Sequence, residues 1–249
     1  MKKWKYRLLT AFFLGVFVFC GYEAWTIYNQ NNQVENETKK IQKENVVIEN
    51  SNGIQYLRPD WNALKAINKD IIAWIYVPDC AISYPVVQGS DNAYYLDHTI
   101  YKGYNNQGTA FLDCNANADF EEDNSVIYGH SVKGGGMFTL LKNFTSKSFF
   151  DSHKAFYLLT PNGNYKCKVF AFSKSTNESI FYQSNLGEDD ARQDVIEKMK
   201  QECLYYNEIN TDNNMVTLST CNLDYGLHSN QRFLLTGVMH PYFKDIVYK

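Results

Sequence analysis

The chain has 249 residues, of which 45% are hydrophobic, enough apolar mass for one sizeable domain with short appendages. Its formal net charge is only −3, with four of the 24 basic side chains, Lys2, Lys3, Lys5 and Arg7, ahead of the first apolar run; the remaining 20 face 27 acidic ones, a balance of −7. That profile excludes a nucleic-acid binder, which needs a basic patch or stripe.

Leu8 to Tyr28 is a largely apolar run whose one charge is Glu23 near its outer end, and as a helix it would measure about 31 Å, the thickness of a hydrocarbon core. The basic residues before it place 1–7 in the cytoplasm and send the rest of the chain outside. A cleaved signal peptide would be shorter and end at an Ala-x-Ala-like site; here Trp25 follows Ala24, and bulky Phe19 precedes Cys20. Residues 8–28 are therefore expected to be an uncleaved single-span anchor. Residues 29–53 are dense in Asn, Gln, Glu and Lys, with Val34, Ile41, Val46, Val47 and Ile48 as apolar punctuation. Such a segment cannot bury a core of its own and is expected to be a flexible, polar linker with at most a short helix.

The folded domain is placed at 54–249. Asp60 is suited to cap a helix carrying Trp61, Leu64 and Ile67. Extended patterns follow at Ile71 to Val77 and at Ile82 to Gln88, where Pro85 signals an edge or an irregularity. Further strands are expected at Gly108 to Asp113 and Asn124 to Tyr128. Gly134, Gly135 and Gly136 form a loop that lacks the lysine and hydroxyl of a phosphate-binding loop, and Met137 to Phe144 reads as a short helix. Ala155 to Thr160 and Tyr165 to Ser173 flank Pro161-Asn162-Gly163-Asn164, a hairpin signal. Asp189 to Tyr206 is the one long helix of the domain, with Val195, Ile196, Met199 and Cys203 on one stripe. Met215 to Thr220 and Arg232 to Met239 are the last two strands. Many short strands separated by turns indicate a mostly β domain, a barrel or a sandwich.

Chemistry concentrates at the end of the chain. Cys221 ends one strand and Arg232 begins the next, so an antiparallel pairing would bring thiol and guanidinium to the same end of the sheet. A cysteine of ordinary pKa, about 8.5, is mostly protonated near neutrality and needs a base to act as a nucleophile. His130, just beyond the strand ending at Tyr128, His153 and His228 all compete for that role by position; His98 and His240 read as surface or packing residues. Asp224 lies in the loop after Cys221, where a histidine-orienting acid or a solvated turn residue would both fit. Of the six cysteines, Cys20 lies in the apolar run. Cys80, Cys114, Cys167 and Cys203 could pair as disulfides in three ways but show no metal-binding spacing, and most of them read as small buried hydrophobes. Glu121, Glu122 and Asp123 lack the spacing of a calcium loop. No metal and no cofactor is expected.

Thr217-Leu218-Ser219-Thr220-Cys221, the downstream Arg232 and the upstream Tyr128-Gly129-His130 resemble a sortase, the cysteine transpeptidase that attaches surface proteins to the Gram-positive cell wall. Trp74-Ile75-Tyr76-Val77-Pro78, Tyr84-Pro85-Val86-Val87-Gln88, Asp91-Asn92 with Tyr95-Leu96, and Gly108 to Asp113 extend the resemblance, in its class B form, over roughly residues 55 to 240. The long helix before the Cys221 strand agrees with class B and not with the barer class A barrel. A tail without a second span argues against the pilus-building class. The resemblance implies a closed β-barrel and assigns His130 as acid/base, Cys221 as nucleophile and Arg232 as oxyanion donor. It places a sorting-signal peptide of the form x-Pro-x-Thr-Gly or x-Pro-x-Thr-Asn near Asn92, Ser219 and Tyr182, with a cell-wall precursor amine as acceptor. A cysteine hydrolase of the papain kind would need a local cysteine signature that is missing here. A non-catalytic surface-binding module would not need all three side chains.

Overall fold

The computed structural model describes residues 2–132, 135–226 and 229–249. Helix α1 (Lys2–Asn45) leads into a small hairpin of β1 (Val47–Glu49) and β2 (Gln55–Leu57), then α2 (Trp61–Ile67). Asp60 caps α2 as its sequence position requires, its carboxylate accepting from the Ala63 amide at 3.0 Å. There follow β3 (Ile71–Val77), β4 (Ile82–Val87), β5 (Phe111–Leu112) and β6 (Asn124–Tyr128). A 3-10 turn at Thr139–Thr145 and the short α3 (Lys147–Ser152) precede β7 (Ala155–Thr160) and β8 (Gly163–Thr176). The chain ends with α4 (Asp189–Glu202), β9 (Tyr205–Tyr206), β10 (Met215–Cys221), β11 (Gln231–Pro241) and β12 (Ile246–Val247).

Eight of these strands close into a barrel in the order β3, β4, β5, β6, β10, β11, β8, β7 and back to β3. The β4–β5 and β6–β10 neighbours run parallel and the others antiparallel. Closure removes the exposed edges an open sheet would present. Pro85 fits because β4 meets β5 only at Val87, so the missing amide is not needed there. The long β11–β8 pairing shifts register between Thr236 and Gly237. A Cβ on Gly237 would stand 2.6 Å from the Phe156 ring, so this turn of the wall admits only glycine. Ile75, Ile127, Phe138, Leu158, Phe172 and Leu218 are among the side chains filling the barrel. The stripe of α4 covers the outside of the wall, where Val195, Ile196 and Met199 pack with Phe170, Phe181 and Leu234.

The expected linker at 29–53 takes a different form. Helix α1 continues through Asn45, and Val34, Thr38, Ile41 and Gln42 are buried. These positions recur at helical spacing and make one narrow stripe, too sparse to lift the segment's composition above that of a linker. Ile41 joins Leu57, Leu64, Trp74 and Phe111 in a second apolar cluster, and the Tyr84 hydroxyl donates to Glu35 at 2.5 Å. From Val34 onward α1 is thus packed on the domain. Two smaller corrections concern helices: the expected helix at Met137 to Phe144 is the 3-10 turn, and the long helix stops at Glu202, with Tyr205 and Tyr206 forming β9 against β8.

Candidate active site

Strand pairing alone brings the thiol and the guanidinium together. Strands β10 and β11 are antiparallel with Cys221 directly opposite Arg232. On the other side β10 runs parallel to β6, Ser219 opposite Tyr128, and the Gly129 amide donates to the Ser219 carbonyl at 3.0 Å. His130 therefore leaves β6 beside the end of β10. All three side chains line one cleft of about 490 Å³, together with Asn92, Leu96, Asp113, Tyr128, Tyr182 and Ser219.

His130 is held once through its ring and once through its backbone. Its Nε2 lies 2.8 Å from the Leu96 carbonyl; a carbonyl only accepts, so Nε2 carries the hydrogen and Nδ1 is left as the basic nitrogen. The Phe138 amide donates to the His130 carbonyl at 3.0 Å. The Arg232 Nη1 donates to the carbonyls of Ser229 and Gln231, each at 2.9 Å. That leaves the other guanidinium hydrogens for the cleft. Cys221 is partly exposed, as a nucleophile must be. Burial raises other thiols: Cys80 is pushed up to about 12 and Cys203 to about 11, while fully buried Cys167 is raised as well. All six cysteines are free, and Cys80 and Cys167 are the buried hydrophobes expected.

The three residues expected to hold substrate lie in the same cleft and are fastened to one another. The Tyr182 hydroxyl and the Ser219 Oγ share a hydrogen bond of 2.7 Å. Burial raises the Tyr182 phenol, against the Ser219 hydrogen bond and the Arg232 charge, so it stays a neutral hydroxyl. Tyr182 stacks on Tyr128 at 6.2 Å, and Tyr128 donates to Asp113 at 3.0 Å. Asp113 also accepts from Asn92 Nδ2 at 2.9 Å, while Asn92 Oδ1 accepts from the Cys114 amide at 2.8 Å. Asn92 is thereby oriented with its acceptor used and one amide hydrogen spare. Asp113, Tyr128 and Leu96 were visible in the sequence as motif residues; only their three-dimensional partners reveal what they hold.

The rival residues are elsewhere. His153 stacks on Phe149 at 3.6 Å and bonds its carbonyl. His98 stacks on Tyr94, and His240 sits near the end of β11. Asp224 lines a different, broader groove of about 620 Å³ beside Lys142, Phe149 and Phe233, whose lining holds neither thiol nor imidazole. His228 lies outside the described residues, as does Gly134 of the glycine run. The acidic turn is occupied structurally: Glu122 accepts from the Asn117 amide and Asp123 pairs with Arg192 at 2.8 Å.

The sortase domain model matches residues 75–240. Sortase B of Listeria monocytogenes is 30% identical over 223 residues, 88% of this chain and 90% of that protein. The crystal structure of sortase B from B. anthracis in complex with AAEK1 superposes with a TM-score of 0.73 at 27% identity, covering 88% of this chain and all of that one. A Staphylococcus aureus sortase B–substrate complex shares the fold at the same TM-score and 24% identity, covering 86% of this chain and 99% of that one. The matches span the barrel, the α4 insertion and both strands of the Cys221–Arg232 pair, so the chain belongs to the sortase family, in its class B, and is a cysteine transpeptidase.

Proposed function

We propose that Cys221 is the nucleophile, His130 the acid/base and Arg232 the oxyanion donor of this transpeptidase. The register pair of Cys221 and Arg232 in the cleft that holds His130 carries the reading. His130 takes the Cys221 thiol proton on Nδ1, and the resulting thiolate attacks the carbonyl carbon of threonine in a sorting signal of the form x-Pro-x-Thr-Gly or x-Pro-x-Thr-Asn. Arg232 donates to the oxygen that becomes negative in the tetrahedral intermediate. As the C–N bond breaks, the departing amine takes its proton from His130 and the threonine remains as a thioester on Cys221. His130 then accepts a proton from the incoming amine of a cell-wall precursor, which displaces Cys221 and forms the new amide. Asn92, Ser219 and Tyr182 line the peptide groove. The spare Asn92 amide hydrogen suits a peptide carbonyl, and a relative of this fold is known as a substrate complex.

The same reading places the protein at the cell surface of a Gram-positive bacterium. Residues 8–28 cross the membrane, 1–7 remain in the cytoplasm, and the domain stands outside. In support, α1 contains an apolar window long enough to span a bilayer, none of which is buried against the protein.

The test is the full chain in detergent, as wild type and with Cys221→Ala, given both peptides with and without a small amine and analysed by mass spectrometry. Cysteine-dependent cleavage after threonine, with amine joined to the new C-terminus, is expected. Cysteine-dependent release of free acid alone, even with amine present, would make it a hydrolase.

A further inference from the structure

The loop from Tyr94 to Gly108 touches α1 just where its apolar run ends. Asn105 donates from Nδ2 to the Gln30 carbonyl at 3.0 Å, and Asn106 donates from Nδ2 to Gln30 Oε1 at 3.1 Å. Gln30 is two residues beyond Tyr28, about 3 Å further along a helix that rises 1.5 Å per residue. The headgroup layer on each side of the hydrocarbon core is about 5–7 Å deep. Groups bonded to Gln30 thus fall within that layer when 8–28 fills the core.

The side chains there have the composition the layer selects. Tyr104, next to Asn105 and Asn106 in the chain, is 62% exposed, and Tyr22, Trp25 and Tyr28 are exposed around the outer end of the apolar run. Tyrosine and tryptophan collect at this depth because the ring prefers the acyl chains and the polar tip prefers water. Tyr104 does not line the cleft. The Asp70 carboxylate meets Lys102 at 2.8 Å, so the loop does not approach the bilayer as a bare cation.

We propose that the Tyr104–Asn106 turn is a second membrane contact, resting in the headgroup layer of the outer leaflet beside α1 and holding the catalytic domain against the bilayer in one orientation. The proposal rests on the anchor proposed above. It also links the bilayer to the cleft. The Tyr104 ring meets His98 edge-on at 6.2 Å, His98 stacks on Tyr94 at 4.1 Å, and the Tyr94–Leu96 turn supplies the carbonyl that binds His130. The Leu96 side of the cleft is then the side nearest the membrane, where an amphiphilic acceptor amine would arrive.

The experiment uses the full chain in phosphatidylcholine–phosphatidylglycerol nanodiscs with photoreactive p-benzoylphenylalanine replacing, one at a time, Trp25, Tyr104 and Phe243. Phe243 is 96% exposed and lies beside the β1–β2–β12 sheet at the far end of α1, about 22 Å beyond Gln30 along the helix. Lipid adducts are read by mass spectrometry, and cleavage of a soluble peptide by each labelled protein reports that it is folded. Adducts at 25 and 104, several-fold above the yield at 243, are expected. An adduct at 25 with none at 104 would overturn the second contact and leave the anchor standing. No adduct at 25 would overturn the anchor and the contact together. Equal yields at 104 and 243 would show a domain that tumbles on its tether, against the proposal.

Discussion

At Gly129 a side chain has no room: a Cβ there would stand 2.6 Å from the Phe138 ring. The residue is the hinge between β6 and His130, and Phe138 is also the donor that holds the His130 carbonyl. Gly129→Ala should push the two apart, costing about 1–3 kcal/mol of stability by overpacking and lowering peptide turnover by more than the loss of fold explains. Thermal melting and kcat on the same preparation separate the two effects. Arg232 offers a finer probe. Its Nη1 is already spent on two backbone carbonyls, and only a planar fork can hold those and still aim a donor at the reacting oxygen. Arg232→Lys keeps the charge but should lower kcat by about 10²–10³, the usual worth of an oxyanion donor, with KM changed little. A rise in KM at unchanged kcat would instead make Arg232 a peptide-binding residue.

Elements matter through what they pin near the cleft. The Tyr84 hydroxyl, on β4, accepts from the Met137 amide at 2.8 Å and donates to Glu35 of α1; Met137 adjoins Phe138, so α1 reaches the segment that holds His130. Burial, with the Glu35 hydrogen bond, raises the Tyr84 phenol far above its usual value, keeping it a donor. Tyr84→Phe should cost about 1–3 kcal/mol, the penalty for an orphaned buried amide, and lower kcat. Glu35→Gln retains an acceptor and should stay near wild type in both. A lowered melting temperature with kcat untouched would confine the clamp to stability. On the opposite wall, Asn124 donates from Nδ2 to the carbonyls of Phe181 and Gln183, at 2.8 and 3.1 Å, bracketing Tyr182. Asn124→Ala should loosen that turn and raise KM for peptide several-fold in steady-state assays. These two examples mark what a sequence can reveal. Strands such as Ile71–Val77 and Asn124–Tyr128 were legible to the residue because β-branched and aromatic runs bounded by turn residues have few alternatives. The Cys221–Arg232 pairing was legible because one loop joins two neighbouring strands. The seat of α1 was not, since a stripe of four positions in a polar segment is invisible to composition. Asn124 looked like any strand-end polar residue, and Asp113 like the last position of a motif, until their partners, which are distant in sequence, came into place.

For the whole molecule, the barrel is closed by long-range pairings, and the seam where α2, β3 and the Tyr94–Lys102 segment meet is held by polar groups. Asn68 donates from Nδ2 to the Tyr95 hydroxyl at 3.0 Å and to the Ile100 carbonyl at 2.9 Å. Tyr95 passes its own hydrogen to Asp70 at 2.6 Å, and Lys102 reaches the same carboxylate oxygen at 2.8 Å. Burial tends to raise the Asp70 carboxyl, but the hydrogen bonds from Lys102 and Tyr95 outweigh it and hold the group below its ordinary range. The sign of the pH effect follows. With the folded value lower than the unfolded one, the unfolded chain binds more protons in the acid window, so the stabilisation is complete above the unfolded carboxylate value of about 3.9 and is lost as pH falls through the folded value. An ion pair this exposed contributes little by itself; the buried Tyr95 and Asn68 bonds give the seam its weight. The melting temperature of the wild type should therefore drop below about pH 4, and Asp70→Asn should start lower at neutral pH and show a shallower acid limb. Parallel acid limbs in the two proteins, recorded by melting scans across pH 3 to 7, would remove Asp70 as a source of the acid sensitivity.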